Sequence, residues 1–128
     1  MLISFPDFIL DFLSEMRKNY HLFLMSNANE IHIREVNRLF IQQFPEHTFA
    51  SFFEKMYFSY LTELRKPDEA FFNKIISENN LAVNETAFFD DSPQHVEAAK
   101  KLGINAFLVP KNTLINDFVN KLIVSGEL

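Results

Sequence analysis

Residues 86–93 read TAFFDDSP, and this stretch decides the fold class. The apolar run Thr86–Phe89 predicts a short buried strand, because it is flanked by polar residues and is too short for a helix. Two aspartates end the run. Ser92 is a good helix N-cap and Pro93 suits the first helical position, so a helix is expected to follow at once. A strand that leads directly into a helix is typical of α/β proteins.

Downstream of this stretch the same alternation continues. The helix is expected to run to Leu102, with Gly103 as its C-cap, because glycine adopts the left-handed backbone that ends helices. Asn105–Val109 then predicts a fourth strand, and Leu114–Val124 predicts a closing helix.

Upstream of this stretch, helices and strands also alternate. The predicted elements are a helix over Phe5–Lys18, a strand over His21–Met25, a helix that ends before Pro45, a short helix over Phe49–Phe53, a strand over Met56–Ser59 and a helix over Ala70–Ile76. Alternating strands and helices predict a doubly wound parallel sheet of about four strands. We expect residues 1–128 to form a single domain.

Composition agrees with a compact protein and excludes several classes of function. The 128 residues are 48% hydrophobic and include only two Gly and five Pro, which leaves little room for linkers. With a net charge of −5 and no long run of Lys or Arg, nucleic acid is not an expected partner. We interpret the 16 Phe residues as core filling.

The sequence also bears on the cellular compartment. There are no cysteines, which excludes disulfides, thiolate metal sites and cysteine nucleophiles, and which fits a cytoplasmic protein. The first residues lack a basic segment followed by a long apolar run, so we expect no signal peptide. The apolar run Leu22–Met25 is too short to span a membrane, and no membrane association is expected.

Polar residues follow three of the predicted strands, where ligands bind in parallel sheets. Ser26 and Asn27 follow the first strand, Lys66 follows the second after a loop, and Asp90 and Asp91 end the third. Taken alone, the Ser-Asn pair fits a helix cap and the lysine fits a solvated surface residue. Two adjacent aspartates at the end of an apolar strand are harder to explain without a cation or hydrogen-bond donors.

Together these groups fit the chemistry of phosphate. Mg²⁺ takes one or two carboxylates together with waters and phosphate oxygens. A lysine ammonium offsets phosphate charge, and a hydroxyl and backbone N–H groups at a helix start bind phosphate oxygens. The combination therefore predicts a site that binds Mg²⁺ and a small phosphorylated metabolite.

Three segments carry a family resemblance. Residues 23–29 (FLMSNAN), 64–68 (LRKPD) and 88–93 (FFDDSP) resemble, in this order, motifs of the haloacid dehalogenase superfamily, and the likeness extends from about Phe5 to Val109. The chain looks most like the sugar-phosphatase and epoxide-hydrolase-N-domain-like branch. The resemblance implies a Rossmann-like core and magnesium-dependent phosphatase activity.

The resemblance also implies roles for the five polar residues. Ser26 would hydrogen-bond the transferring phosphoryl group, and Asn27 would hold the neighbouring loop and the substrate. Lys66 would pair with both the nucleophile and the phosphate. Asp91 would bind Mg²⁺ directly, and Asp90 would bind it through water.

Two residues depart from the family pattern, and one motif is absent. Glu63 stands where relatives often have Gly, which would alter the loop before Lys66, and His95 stands where many have Asn, which would weaken the surroundings of the metal. The first motif of the family, an Asp-x-Asp pair that supplies the nucleophile and the general acid, does not occur. Before Ser26 the only aspartates are Asp7 and Asp11, four positions apart within a predicted helix.

We therefore expect the chain to correspond to the C-terminal part of a truncated core, without the nucleophile or the cap domain, and to be inactive alone. The absent strand would lie in the centre of the family's sheet, so two apolar strand edges are expected to close on each other, to pair with another chain as a homo-oligomer or with an N-terminal segment, or to aggregate.

Two other hypotheses remain. The chain could be a non-catalytic binding or assembly module that keeps the fold without the chemistry. A receiver-like signalling domain also has a lysine and an acidic pair, but there the acidic pair lies on the first strand and the lysine near the last. Here Lys66 precedes Asp90, which argues against a receiver.

Overall fold

The computed structural model describes residues 8–128, in which helices and strands alternate. The α-helices of this part of the chain are α1 (Ile9–Asn19), α2 (Glu30–Gln43), α3 (Ser59–Thr62), α4 (Glu69–Glu78), α5 (Pro93–Lys101) and α6 (Ile115–Ser125). The strands are β1 (Phe23–Ser26), β2 (Lys55–Phe58), β3 (Ala87–Asp90) and β4 (Asn105–Leu108). Two 3₁₀ turns cover Phe49–Phe52 and Val83–Glu85.

The strands pair in parallel, as predicted, within two compact units. Unit 1 ends at Arg65 and unit 2 runs Lys66–Leu128. In unit 1, β1 pairs with β2, and in unit 2, β3 pairs with β4. Over residues 8–128 the four strands thus form two parallel two-stranded sheets, which agrees with the predicted α/β class and incomplete core.

The core of unit 1 is aromatic. Phe40 of α2 is fully buried, and its ring centroid lies 5.1 Å from that of Phe44, 5.4 Å from that of Phe49 and 6.2 Å from that of Phe52. Leu13 of α1 joins this cluster. Several of the 16 phenylalanines therefore fill a core, as the composition suggested.

The sheet of unit 1 is buried most deeply on β2. Its register runs from Phe23 opposite Lys55 to Ser26 opposite Phe58, and the backbone N–H of Glu54 extends the ladder with a 2.8 Å bond to the carbonyl of Leu22. Tyr57, on the same strand, is only 2% exposed.

The sheet of unit 2 is flanked by α4, α5 and α6. Phe72 of α4 packs edge-on against Phe88 of β3, with ring centroids 5.1 Å apart. Phe89 stacks on Phe107 of β4 at 5.2 Å and meets Phe118 of α6 edge-on at 6.3 Å. These ring contacts fix the strand whose last residue is Asp90.

The turn from α5 into β4 follows the prediction with a shift of one residue. Leu102 occupies the cap position, and Gly103 follows in the left-handed conformation with φ +87°. The N–H of Gly103 donates to the carbonyl of Lys100 at 3.0 Å, and the N–H of Ile104 donates to that of Ala99 at 3.2 Å. This arrangement satisfies carbonyls at the helix end.

Element boundaries differ from the predictions by a few residues. The start of the first predicted helix lies outside the described residues, and the described part of α1 begins at Ile9. Strand β3 ends on Asp90 itself, one residue later than predicted, so the first carboxylate belongs to the sheet. The short helix α3, which directly follows β2, was missed, because four residues carry no periodicity.

Candidate functional site

The carboxylate of Asp90 is the centre of the candidate site in unit 2. Its side chain is only 7% exposed, and the backbone of β3 fixes its position at the carboxyl end of the strand. Oδ2 accepts a hydrogen bond from Nζ of Lys66 at 2.6 Å, and Oδ1 accepts one from the backbone N–H of Ser92 at 2.9 Å. A buried charge requires such partners, and here both oxygens have one.

His95 adds a third contact to the same carboxylate. Its Nδ1 lies 3.3 Å from Oδ2 of Asp90, so that oxygen is shared by Lys66 and His95. His95 lies in the first turn of α5, which starts with Ser92 at the cap and Pro93 at the first helical position. Sequence analysis noted His95 only as a departure from the family pattern and missed its place in the site. Its position in the first helical turn after the two aspartates could have indicated that place.

These contacts determine the charge of Asp90. Burial raises the pKa of a carboxyl group, but the Lys66 ammonium, the Ser92 N–H and the His95 ring outweigh burial and hold the pKa of Asp90 below its ordinary value. Asp90 is therefore an ionised acceptor at neutral pH.

Lys66 is held on two sides. Its side chain is 12% exposed, and its Nζ lies 5.8 Å from the ring centroid of Phe88, in addition to the ion pair with Asp90. A cation over an aromatic face gains favourable electrostatics. The interpretation of Lys66 as a solvated surface lysine is therefore wrong.

Asp91 differs from Asp90 in its exposure and in its hydrogen bonding. It is exposed, and it makes no side-chain hydrogen bond or ion pair with any residue between 8 and 128. One of the adjacent carboxylates thus contacts Lys66, Ser92 and His95, and the other is open to solvent.

Ser26 and Asn27 lie in unit 1, at the carboxyl end of β1. The cap of α2 is neither of them: Asn29 holds this position, and its side chain accepts a 2.8 Å bond from the N–H of His32. The hydroxyl of Ser59 donates to the carbonyl of Ala28 at 3.3 Å, which ties the loop after β1 to the residue after β2.

The loop that leads toward Lys66 contains a strained residue. Glu63 has φ 59° and ψ 12°, a left-handed conformation that costs free energy for residues with a Cβ atom. The hydroxyl of Thr62 accepts a 3.2 Å bond from the N–H of Leu64, which holds the turn. Glu63 thus has a backbone conformation that glycine favours, and the expected alteration of the loop stays a prediction.

The structure thus brings Lys66 and Asp90 together, and Asp91 directly follows Asp90 in the chain. The roles of Ser26, Asn27, Lys66, Asp90 and Asp91 stay predictions. Among the described residues there is no group of three His, Asp or Glu side chains that could hold a metal ion by themselves. No helix in this part of the chain is long and apolar enough to cross a membrane.

The chain is similar to a phosphatase and to solved structures of haloacid dehalogenase family enzymes. A D-ribitol-5-phosphate phosphatase from Bacteroides thetaiotaomicron is 28% identical over 106 residues, which cover 77% of this chain and 47% of that protein. The crystal structure of a haloacid dehalogenase family enzyme from the same organism matches with a TM-score of 0.81 and 31% identity, over 92% of this chain and 58% of that one. Its wild-type complex with magnesium and inorganic phosphate matches with a TM-score of 0.78 and 27% identity, over 91% and 59% of the two chains.

The chain therefore spans about half the length of these relatives. The family model of haloacid dehalogenase-like hydrolases matches residues 2–109. With its motifs, its parallel strand pairs and this match, the chain belongs to the haloacid dehalogenase-like hydrolase family.

Proposed function

We propose that this chain supplies the phosphate-binding and magnesium-binding part of a phosphatase that acts on a small phosphorylated metabolite in the cytoplasm. The observation that carries the proposal is the part-buried Lys66–Asp90 ion pair, with the exposed Asp91 next to Asp90 in the chain. The similarity to a sugar-alcohol phosphate phosphatase, and to an enzyme crystallised with magnesium and inorganic phosphate, supports it.

The carboxylates fit a magnesium ion in an unequal way. Mg²⁺ favours oxygen ligands and is usually held by one or two carboxylates together with waters and phosphate oxygens. The oxygens of Asp90 already accept bonds from Lys66 and Ser92 and lie next to the His95 ring, whereas Asp91 is open to solvent. Asp91 would therefore be the direct ligand and Asp90 would act through water. A bound Mg²⁺ would offset the charge of the phosphate oxygens.

The remaining residues would bind and orient the phosphoryl group. The ammonium of Lys66 would offset its negative charge, the hydroxyl of Ser26 would donate to one of its oxygens, and the amide of Asn27 would hold the substrate. We also propose that residues 1–128 act as one domain.

The 128 residues contain no Asp-x-Asp pair. We therefore propose that they do not turn over substrate by themselves and that a segment with this pair must be supplied. Such a segment, or a second copy of the chain, would pair with open strand edges, since each sheet of the described residues has only two strands. Sedimentation velocity of the purified chain tests whether two copies associate.

The metal site is tested with Mn²⁺ in place of Mg²⁺. In ¹H–¹⁵N spectra of the full chain, Mn²⁺ is expected to broaden the signals of residues around Asp91, and Asp91→Asn should abolish this effect. Asp117→Asn is the matched control, because Asp117 is an exposed aspartate in the first turn of another helix, α6. Equal broadening in Asp91→Asn and in the unchanged chain would contradict the metal assignment.

The activity is tested with p-nitrophenyl phosphate and Mg²⁺. We expect no turnover from the chain alone, and turnover after addition of an N-terminal fragment of a relative that carries the Asp-x-Asp pair. Lys66→Met should abolish the restored activity, whereas Lys74→Met, at a partly exposed position of α4, should keep it. Turnover by the chain alone would overturn the proposed need for a supplied nucleophile.

A further inference from the structure

The contact between His95 and Asp90 indicates which ring nitrogen of His95 carries the proton. The carboxylate of Asp90 is ionised, because the Lys66 ammonium and the Ser92 N–H already donate to it, and an ionised carboxylate only accepts hydrogen bonds. The 3.3 Å contact of Nδ1 with Oδ2 is therefore a hydrogen bond only if Nδ1 carries the proton.

From this geometry we infer that His95 is a positioning residue, which is held with its proton on Nδ1 and fixes the orientation of the Asp90 carboxylate. Its place supports this role. Its side chain is 19% exposed, and the start of α5 at Pro93 fixes its backbone within the first turn after Asp91. The ring is thus a donor with little freedom to turn away from Asp90.

The inference deepens the proposed function and rests on it for its purpose. Under that function, the ammonium of Lys66 serves two anions, Asp90 and the substrate phosphate, so its bond to Asp90 weakens when phosphate binds. His95 gives Asp90 a donor that is not shared with the phosphate. Asp90 then stays in place, and Asp91 remains the carboxylate that faces the cation.

The first experiment needs neither metal nor substrate. Long-range ¹H–¹⁵N spectra of the full chain, recorded at a pH high enough for histidines to be neutral, distinguish a proton on Nδ1 from one on Nε2. We expect Nδ1–H for His95. His47, whose ring lies 5.9 Å from that of Phe52 and which has no carboxylate partner among the described residues, gives the reference spectrum. An Nε2–H form of His95 would overturn the inference.

Two substitutions separate positioning from mere packing. Asn places its Nδ2 the same number of bonds from the backbone as His Nδ1, so His95→Asn keeps the donor to Asp90. Gln places its nitrogen one bond farther out, at the distance of Nε2, so His95→Gln loses this donor. We expect the ¹³Cγ signal of Asp90 to stay near its original position in His95→Asn and to move in His95→Gln.

The same pair of variants tests the consequence for metal binding. We expect His95→Gln to weaken Mn²⁺ binding by about 10-fold or more, as removal of an outer partner does at other metal sites, and His95→Asn to restore most of it. Equal loss in both variants would contradict the positioning role. If Asp91→Asn leaves Mn²⁺ binding unchanged, the proposed function fails, whereas the proton position on His95 is decided independently by its ¹⁵N signals.

Discussion

Nζ of Lys66 lies 2.6 Å from Oδ2 of Asp90, although the two residues are 24 positions apart in the sequence. The side chains are 12% and 7% exposed, so this ion pair is largely removed from solvent. A pair in such a setting couples more strongly than one on the surface, because water and salt screen it less.

A double-mutant cycle with Lys66→Met and Asp90→Asn is expected to give a coupling energy of about 1–3 kcal/mol in the free energy of unfolding. Urea denaturation measures it. The matched control is the pair of Lys74 and Glu78, which are 2.9 Å apart but about one-third exposed on α4. That cycle should give only about 0.3–0.5 kcal/mol. Similar coupling in the two cycles would contradict the importance of burial.

The low pKa of Asp90 predicts how stability depends on pH. Because its pKa is lower in the folded than in the unfolded protein, the carboxylate contributes stability that is fully present above the ordinary pKa of an unfolded aspartate. This contribution is lost as the pH falls from that value through the folded pKa. Stability of the unchanged chain should therefore decline more steeply over this acidic range than that of Asp90→Asn. Parallel curves for the two proteins would disprove the link.

Glu63 predicts a stabilising substitution. Its φ of 59° strains any residue with a Cβ atom, and Glu63→Gly removes the strain while it increases the freedom of the unfolded chain. We expect Glu63→Gly to be about 0.5–1 kcal/mol more stable than Glu63→Ala, which keeps the Cβ atom. Thermal unfolding of the two variants decides the sign. A more stable alanine variant would show that the left-handed turn is not populated.

Phe40 is expected to be the most sensitive position in unit 1. It is fully buried among other phenylalanine rings, so Phe40→Ala leaves a cavity and should cost about 3–5 kcal/mol of unfolding free energy. Ile41→Ala, at the next position of α2 but 48% exposed, should change it by about 0.5 kcal/mol or less. Comparable losses in the two variants would mean that α2 packs through another face.

The strands and their parallel pairing were predictable, because short apolar runs such as Thr86–Phe89 alternate with helical patterns. Local periodicity does not specify which strands share a sheet, but the two strand pairs agree with the central strand that the family resemblance marked as absent. The link between Lys66 and Asp90 was expected from the rule that ligands lie beyond strand ends, and the structure confirms their proximity.

Other features of the site depend on side-chain geometry that no spacing encodes. His95 was noted only as a departure from the family pattern, although its Nδ1 lies 3.3 Å from the central carboxylate. The capping role considered for Ser26 and Asn27 belongs to Asn29, two residues farther on. Several polar residues in a row each fit a cap, so the backbone dihedral angles, which the sequence does not show, decide between them.

The position of the tyrosines, among them the buried Tyr57 on β2, has a consequence for fluorescence. The chain has three tyrosines and no tryptophan, and Tyr20, Tyr57 and Tyr60 all precede the boundary at Arg65. Tyrosine fluorescence therefore originates from unit 1 alone, and a tryptophan introduced in place of Phe118 of α6 would add a separable signal from unit 2. Two coincident denaturation curves would then mean that both halves melt as one cooperative body, and two separate curves would mean that each half melts by itself.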